Sequence, residues 1–97
     1  MPSLRLTPLA EKDLEGIWRY TAEHWSPRQA DSYLNALFDA MTGLAAGTRQ
    51  ARPVVVVADY IKTTSGSHMI YARPEPDGLF IIRVLHESMD VEQHLSP

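Results

Sequence analysis

The sequence contains no cysteine. Neither a disulfide framework nor a thiolate metal site can form, which agrees with a reducing compartment. Long apolar runs are missing too. None approaches the roughly 20 residues that a membrane helix needs. The opening Met-Pro-Ser-Leu-Arg-Leu lacks the basic-then-apolar pattern of a leader. A soluble, cytoplasmic protein with no membrane partner is expected. Basic excess is absent: 9 Lys and Arg stand against 12 Asp and Glu, for a net charge of −3. Binding to nucleic acid through a dense basic surface is therefore not expected, although local basic clusters stay open. His24, His68, His86 and His94 form no ligand pair at helical spacing, so no metal or other cofactor is expected. The glycines are scattered and build no phosphate loop. Ser65-Gly66-Ser67 suits a β-turn rather than a nucleophile elbow. Paired carboxylates occur only on predicted helices, where a solvated face explains them.

What remains is a pattern of 97 residues that suits one domain, residues 1–97. Leu4-Arg-Leu6 alternates as a short strand. Thr7-Pro8 reads as an N-cap followed by proline at the first helical position. Ala10, Leu14, Ile17, Trp18, Thr21 and Trp25 then recur at helical spacing. Gly16 interrupts that helix and is expected to admit a close helix–helix approach. Ser26-Pro27 opens a second helix, with Ala30, Tyr33, Leu34, Leu37, Phe38, Met41, Leu44 and Ala45 on one stripe. Gly47 is its natural stop. The short link between the helices implies an antiparallel pair. Val54 to Val57 is a run with extended preference, either an extra edge strand or a segment pinned to the core. Exposed, it would invite aggregation, so it is expected to be covered. Strands are expected over 59–64, over His68 to Arg73 and over Leu79 to His86, the last two joined by Pro74-Glu-Pro-Asp-Gly78. The fold class is α+β, with order β-α-α-β-β-β. A helical hairpin lies on one face of a mostly antiparallel sheet, and a short C-terminal tail follows.

Two helices cover one face only. If Arg83 marks the opposite face, Leu79, Ile81 and Leu85 form an apolar patch there, edged by basic groups. Either a partner covers that patch, or the tail or the valine run folds over it.

One constellation has chemical potential. Lys62, Tyr71, Arg73, Arg83 and His86 come from three adjacent strands. RNA cleavage needs a base for the 2′-hydroxyl, cations for the phosphorane and an acid for the leaving oxygen. Arg73 and Arg83 fit the second role, and His86 the first or third. The plainer reading makes the arginines exposed strand residues and His86 a packed strand-end imidazole.

Five segments stand out in this order: Leu6-Thr-Pro-Leu-Ala10, Asp13-Leu-Glu-Gly-Ile-Trp18, Ala30-Asp-Ser-Tyr-Leu34, Gly66-Ser-His-Met-Ile-Tyr-Ala-Arg73 and Ile81-Ile-Arg-Val-Leu-His86 with its tail. Taken together they resemble the ParE branch of the RelE/ParE toxin superfamily. The resemblance implies the toxin of a type II toxin–antitoxin system. A ParD-like antitoxin would wrap the toxin and cover its apolar groove, with Leu79, Ile81 and Leu85 as the contacts expected here. The ParE branch implies inhibition of DNA gyrase without catalysis, with Lys62, Arg73, Arg83 and His86 as the expected target contacts. The RelE branch implies instead a ribosome-dependent mRNA endonuclease, for which Arg73, Arg83 and His86 are the available groups. An inert homologue kept for antitoxin binding is a third reading. The negative charge and the acidic tail favour the gyrase reading. Two positions depart from the family pattern. Ile61-Lys62 stands where a basic pair is usual, and Val54 to Val57 replaces a polar loop.

Overall fold

The computed structural model describes residues 3–89 and Leu95. Strand β1 (Ser3–Leu6) leads into helix α1 (Pro8–His24) and helix α2 (Pro27–Ala46). Strands β2 (Arg52–Pro53), β3 (Ile61–Ser65), β4 (His68–Glu75) and β5 (Gly78–His86) follow. The sheet order is β1-β5-β4-β3-β2. Only the β1–β5 pair is parallel. The expected α+β plan holds, with β2 added as a short edge strand.

Local chemistry explains the helix ends. The Thr7 hydroxyl accepts the Ala10 N–H at 3.0 Å and donates to the Ile82 carbonyl at 2.7 Å. One side chain thus caps α1 and ties it to β5. The Ser26 hydroxyl caps α2 by accepting the Gln29 N–H at 3.0 Å. Gly47 takes the left-handed conformation that ends the helix. Trp25 lies outside the expected stripe and is 77% exposed. The cause is the proline at position 27, which holds Ser26 extended and ends α1 at His24. Gly16 does not meet α2 either. A Cβ there would find nothing within 4 Å, because the residue faces solvent.

The helices pack on one side of the sheet through Leu14, Ile17, Leu37, Met41 and Leu44. Ile70, Ala72, Leu79, Ile81 and Val84 meet them from β4 and β5. A second cluster lies on the other face, where Val54 and Leu95 cover Tyr71 and Leu85. Both apolar faces are therefore covered within the chain at these positions.

This corrects the expected apolar patch. Leu79 and Ile81 belong to the helix-side core, and Leu85 is buried beneath Val54 and Leu95. The reason is a β-bulge. Tyr71 pairs with Arg83 and Ala72 with Ile81, which leaves Ile82 as an extra residue on β5. One extra residue flips every side chain beyond it to the opposite face. The valine run is also corrected. Val54 is buried, but Val55 is 94% exposed and Val56 47%.

Candidate functional site

The bulge shapes one end of the sheet. Strand β1 pairs with β5 only as far as Ile81, so the rest of that edge lacks a strand neighbour among the described residues. Helix α1 supplies a substitute. Asp13 accepts the Val84 N–H at 3.0 Å through Oδ2. The same carboxylate takes two bonds from Arg83, at 2.7 Å from Nε and 2.8 Å from Nη2. Both side chains are mostly buried, at 15% and 14% exposure. The hydrogen bond to Asp13 raises the Arg83 pKa further above its ordinary value, against the opposing pull of burial. Arg83 thus joins β5 to α1.

Beside this clamp lies a groove of about 400 Å³ between α1 and the ends of β4 and β5. Ile17, Tyr20, Val84 and Met89 give it apolar walls, and Lys12, His68 and His86 add polar groups. Gly16 opens its wall, since no side chain projects there. The His68 and His86 rings meet edge to face with centroids 5.4 Å apart.

Each imidazole is held by its Nδ1. His68 Nδ1 lies 2.7 Å from the Tyr33 hydroxyl, which also accepts the Ser67 N–H at 2.8 Å. His86 Nδ1 lies 2.8 Å from Ser88 Oγ and 3.2 Å from the Ser88 amide nitrogen. Burial, and then the neighbouring His86, lower the His68 pKa below its ordinary 6.5. Gly66 makes the Tyr33 contact possible. Its φ is +59°, and a Cβ there would fall 2.5 Å from the Tyr33 hydroxyl.

The outer face of the sheet, away from the helices, carries a different set. Lys62 pairs in register with Tyr71, which faces outward. Arg73 lies two residues along from Tyr71 on the same face and stacks over Phe80 at 5.4 Å. Arg5 covers the same ring at 4.4 Å while bound in two-fold fashion to Glu75.

The four expected target contacts are therefore dispersed. Lys62 and Arg73 share the outer face. Arg83 is committed to Asp13, and His86 faces the groove beside α1. Arg73 lies five residues along β4 from His68, the register partner of His86, and so roughly 17 Å away at ordinary strand rise. The three groups of the ribonuclease reading share no cleft. Sequence reasoning missed Asp13 and Tyr33 as organising residues. The available signal was their place in the Asp13-Leu and Ser-Tyr33-Leu segments, but each partner lies far along the chain. Among the described residues, no cluster of three or more His, Cys, Asp or Glu gathers as a metal site. No helix described is long and apolar enough to cross a membrane.

Comparison with known proteins places these features in context. Residues 4–91 match the family model described as the ParE toxin of the type II toxin–antitoxin system parDE. Toxin ParE1 of Mycobacterium tuberculosis is 37% identical over 92 residues, covering 93% of this chain and 94% of the relative. Toxin ParE1 of Caulobacter vibrioides is 34% identical over 96 residues, covering 98% and 99%. A solved structure of the chromosomal ParDE system from P. aeruginosa superposes with a TM-score of 0.76. It covers 89% of this chain and 96% of that one at 21% identity, a likeness of fold.

Proposed function

We propose that this chain, which belongs to the ParE toxin family of type II toxin–antitoxin systems, inhibits DNA gyrase by protein–protein binding and is neutralised by a ParD-like antitoxin. It performs no covalent chemistry of its own. The observation that carries this reading is the dispersion of the cationic groups. Acid–base cleavage of RNA requires its base and phosphate-binding groups within hydrogen-bond reach of one reacting centre. Here Arg83 is bound by Asp13, and Arg73 and His86 are separated along the sheet. A binding surface has no such requirement.

Lys62 and Arg73 are the expected contacts that remain available to a target. Arg83 acts as a positioning residue through Asp13, and His86 lines the α1 groove. With Leu79, Ile81 and Leu85 buried, that groove is the proposed seat for an antitoxin's apolar side chains, with Tyr20, Val84 and Met89 at its walls.

The test is direct. Purified chain is added to gyrase with plasmid and, separately, to translating ribosomes. Accumulation of linear plasmid with intact message is the expected result. Positioned cuts in mRNA with normal supercoiling would overturn the proposal in favour of the ribonuclease. Neither effect would overturn it in favour of an inert antitoxin-binding homologue.

A further inference from the structure

The outer face of the sheet holds a concentration of positive charge that the overall balance conceals. Arg52 on β2 stands directly opposite Lys62 on β3. Directly opposed like charges oppose strand pairing. Lys62 in turn pairs with Tyr71, and Arg73 follows two residues on. These three cations lie on one face of a chain whose net charge is −3. None of them forms an ion pair among the described residues. Glu75, the nearby carboxylate, is taken by Arg5. Asp59 lines the same shallow depression as Arg73 without bonding to it.

An apolar projection adjoins this band. The Val54 N–H donates to the Tyr60 carbonyl at 2.9 Å and closes a loop at its base. Val54 is buried and anchors it. Asp59, at φ 67°, takes a left-handed conformation uncommon for a residue with a side chain. The loop therefore has a fixed base and presents Val55 and Val56 to solvent.

We infer that this face is a docking surface for an acidic and apolar polypeptide segment of the target protein, with Arg52, Lys62 and Arg73 meeting its carboxylates and Val55 and Val56 its apolar side chains. The inference rests on the reading that the chain acts by protein–protein binding. Charge complementarity selects an acidic occupant, and it relieves the repulsion between Arg52 and Lys62. The adjacent valines select a polypeptide over a nucleic acid. Three cations also neutralise few phosphates, too few for firm binding to a nucleic-acid backbone at physiological salt. Contact runs through side chains rather than strand addition, because β2 is two residues long and Pro53 has no N–H to donate.

The probe is a fluorescein-labelled random copolymer of glutamate and tyrosine, read by anisotropy against the intact chain. Binding is expected at low salt and should weaken several-fold on raising salt to physiological strength. The triple variant R52E/K62E/R73E should lose at least about 10-fold in affinity. The double variant V55S/V56S should lose several-fold, and polyglutamate should bind more weakly than the copolymer. These substitutions are on exposed or half-exposed positions, and circular dichroism serves as the check on folding. Unchanged binding by the triple variant would overturn the inference. So would duplex DNA bound as tightly as the copolymer.

The gyrase assay separates the two levels. Loss of inhibition in the triple variant supports the docking surface. Full inhibition by a folded triple variant overturns it while leaving the gyrase reading intact. If the wild type binds the copolymer as expected but never inhibits gyrase, the gyrase reading fails and the docking surface stands.

Discussion

Asp13→Ala removes the carboxylate that holds α1 against the free half of β5. Three bonds are lost together: two from Arg83 and one from the Val84 N–H. An exposed ion pair contributes about 0–1 kcal/mol. Removing one partner of a fully buried pair costs about 3–5 kcal/mol. This pair is close to the buried case, with side-chain exposures of 15% and 14%. The stranded Val84 amide adds a desolvation penalty of about 1–3 kcal/mol unless water reaches it. Allowing for relaxation and for water entering from the groove, the loss should be about 3 kcal/mol. For a domain of this size, that lowers Tm by about 12–24 °C. Asp13→Asn should cost less, because an amide oxygen still accepts from Val84. Thermal and urea denaturation followed by circular dichroism measure the effect. A cycle with Arg83→Ala should show the double variant less destabilised than the sum of the singles, by about 1–2 kcal/mol. A Tm for Asp13→Ala within about 3 °C of wild type, with additive singles, would refute the clamp and return Arg83 to the set of free cations.

Three other outcomes follow from the geometry. Gly66→Ala should destabilise by about 2–3 kcal/mol in urea melts, from the left-handed backbone and the clash with Tyr33; Gly66→Ala in a Tyr33→Ala background should cost less. Gly78→Ala should detach β1, because a Cβ there collides with the Ser3 backbone; hydrogen exchange at the Ser3–Leu6 amides would accelerate selectively or the idea fails. His68 has a folded pKa below its ordinary 6.5, so the unfolded chain binds the proton more readily. Stability from this group is full above 6.5 and is lost as pH falls from there through the depressed folded value. His68→Gln should flatten the fall in urea midpoint between about pH 7.5 and 5.5; an unaltered pH dependence would exclude His68 as its source.

The helices were legible because their signals are local. Thr7-Pro8, Ser26-Pro27 and Gly47 act within a turn or two of themselves, and each caps as its residue type dictates. Strands β1, β3, β4 and β5 were legible for the same reason, whereas β2 (Arg52–Pro53), two residues long and half proline, read as loop. The faces of β5 were not. Apolar residues occupy nearly every position from Leu79 to Leu85, so alternation gives no reference face. The bulge at Ile82 then reverses the phase, and nothing within β5 announces it. Arg83 misled for a related reason. Its partner Asp13 lies 70 positions away on another element. The split of the candidate site follows from both facts, since residues on one strand were treated as one surface. Val54 read correctly as a residue needing cover. Val55 and Val56 read wrongly because propensity cannot tell a buried strand from an exposed loop.

This ParE-family chain is proposed to act by binding through the outer sheet face rather than by cutting RNA. Gyrase supercoiling assays with wild type, R52E/K62E/R73E and H86A test it most directly, with linear plasmid scored after detergent and protease. Linear plasmid is expected with wild type and H86A, and its loss with the triple variant. Normal supercoiling with wild type, together with mRNA cleavage on ribosomes that H86A abolishes, would contradict it.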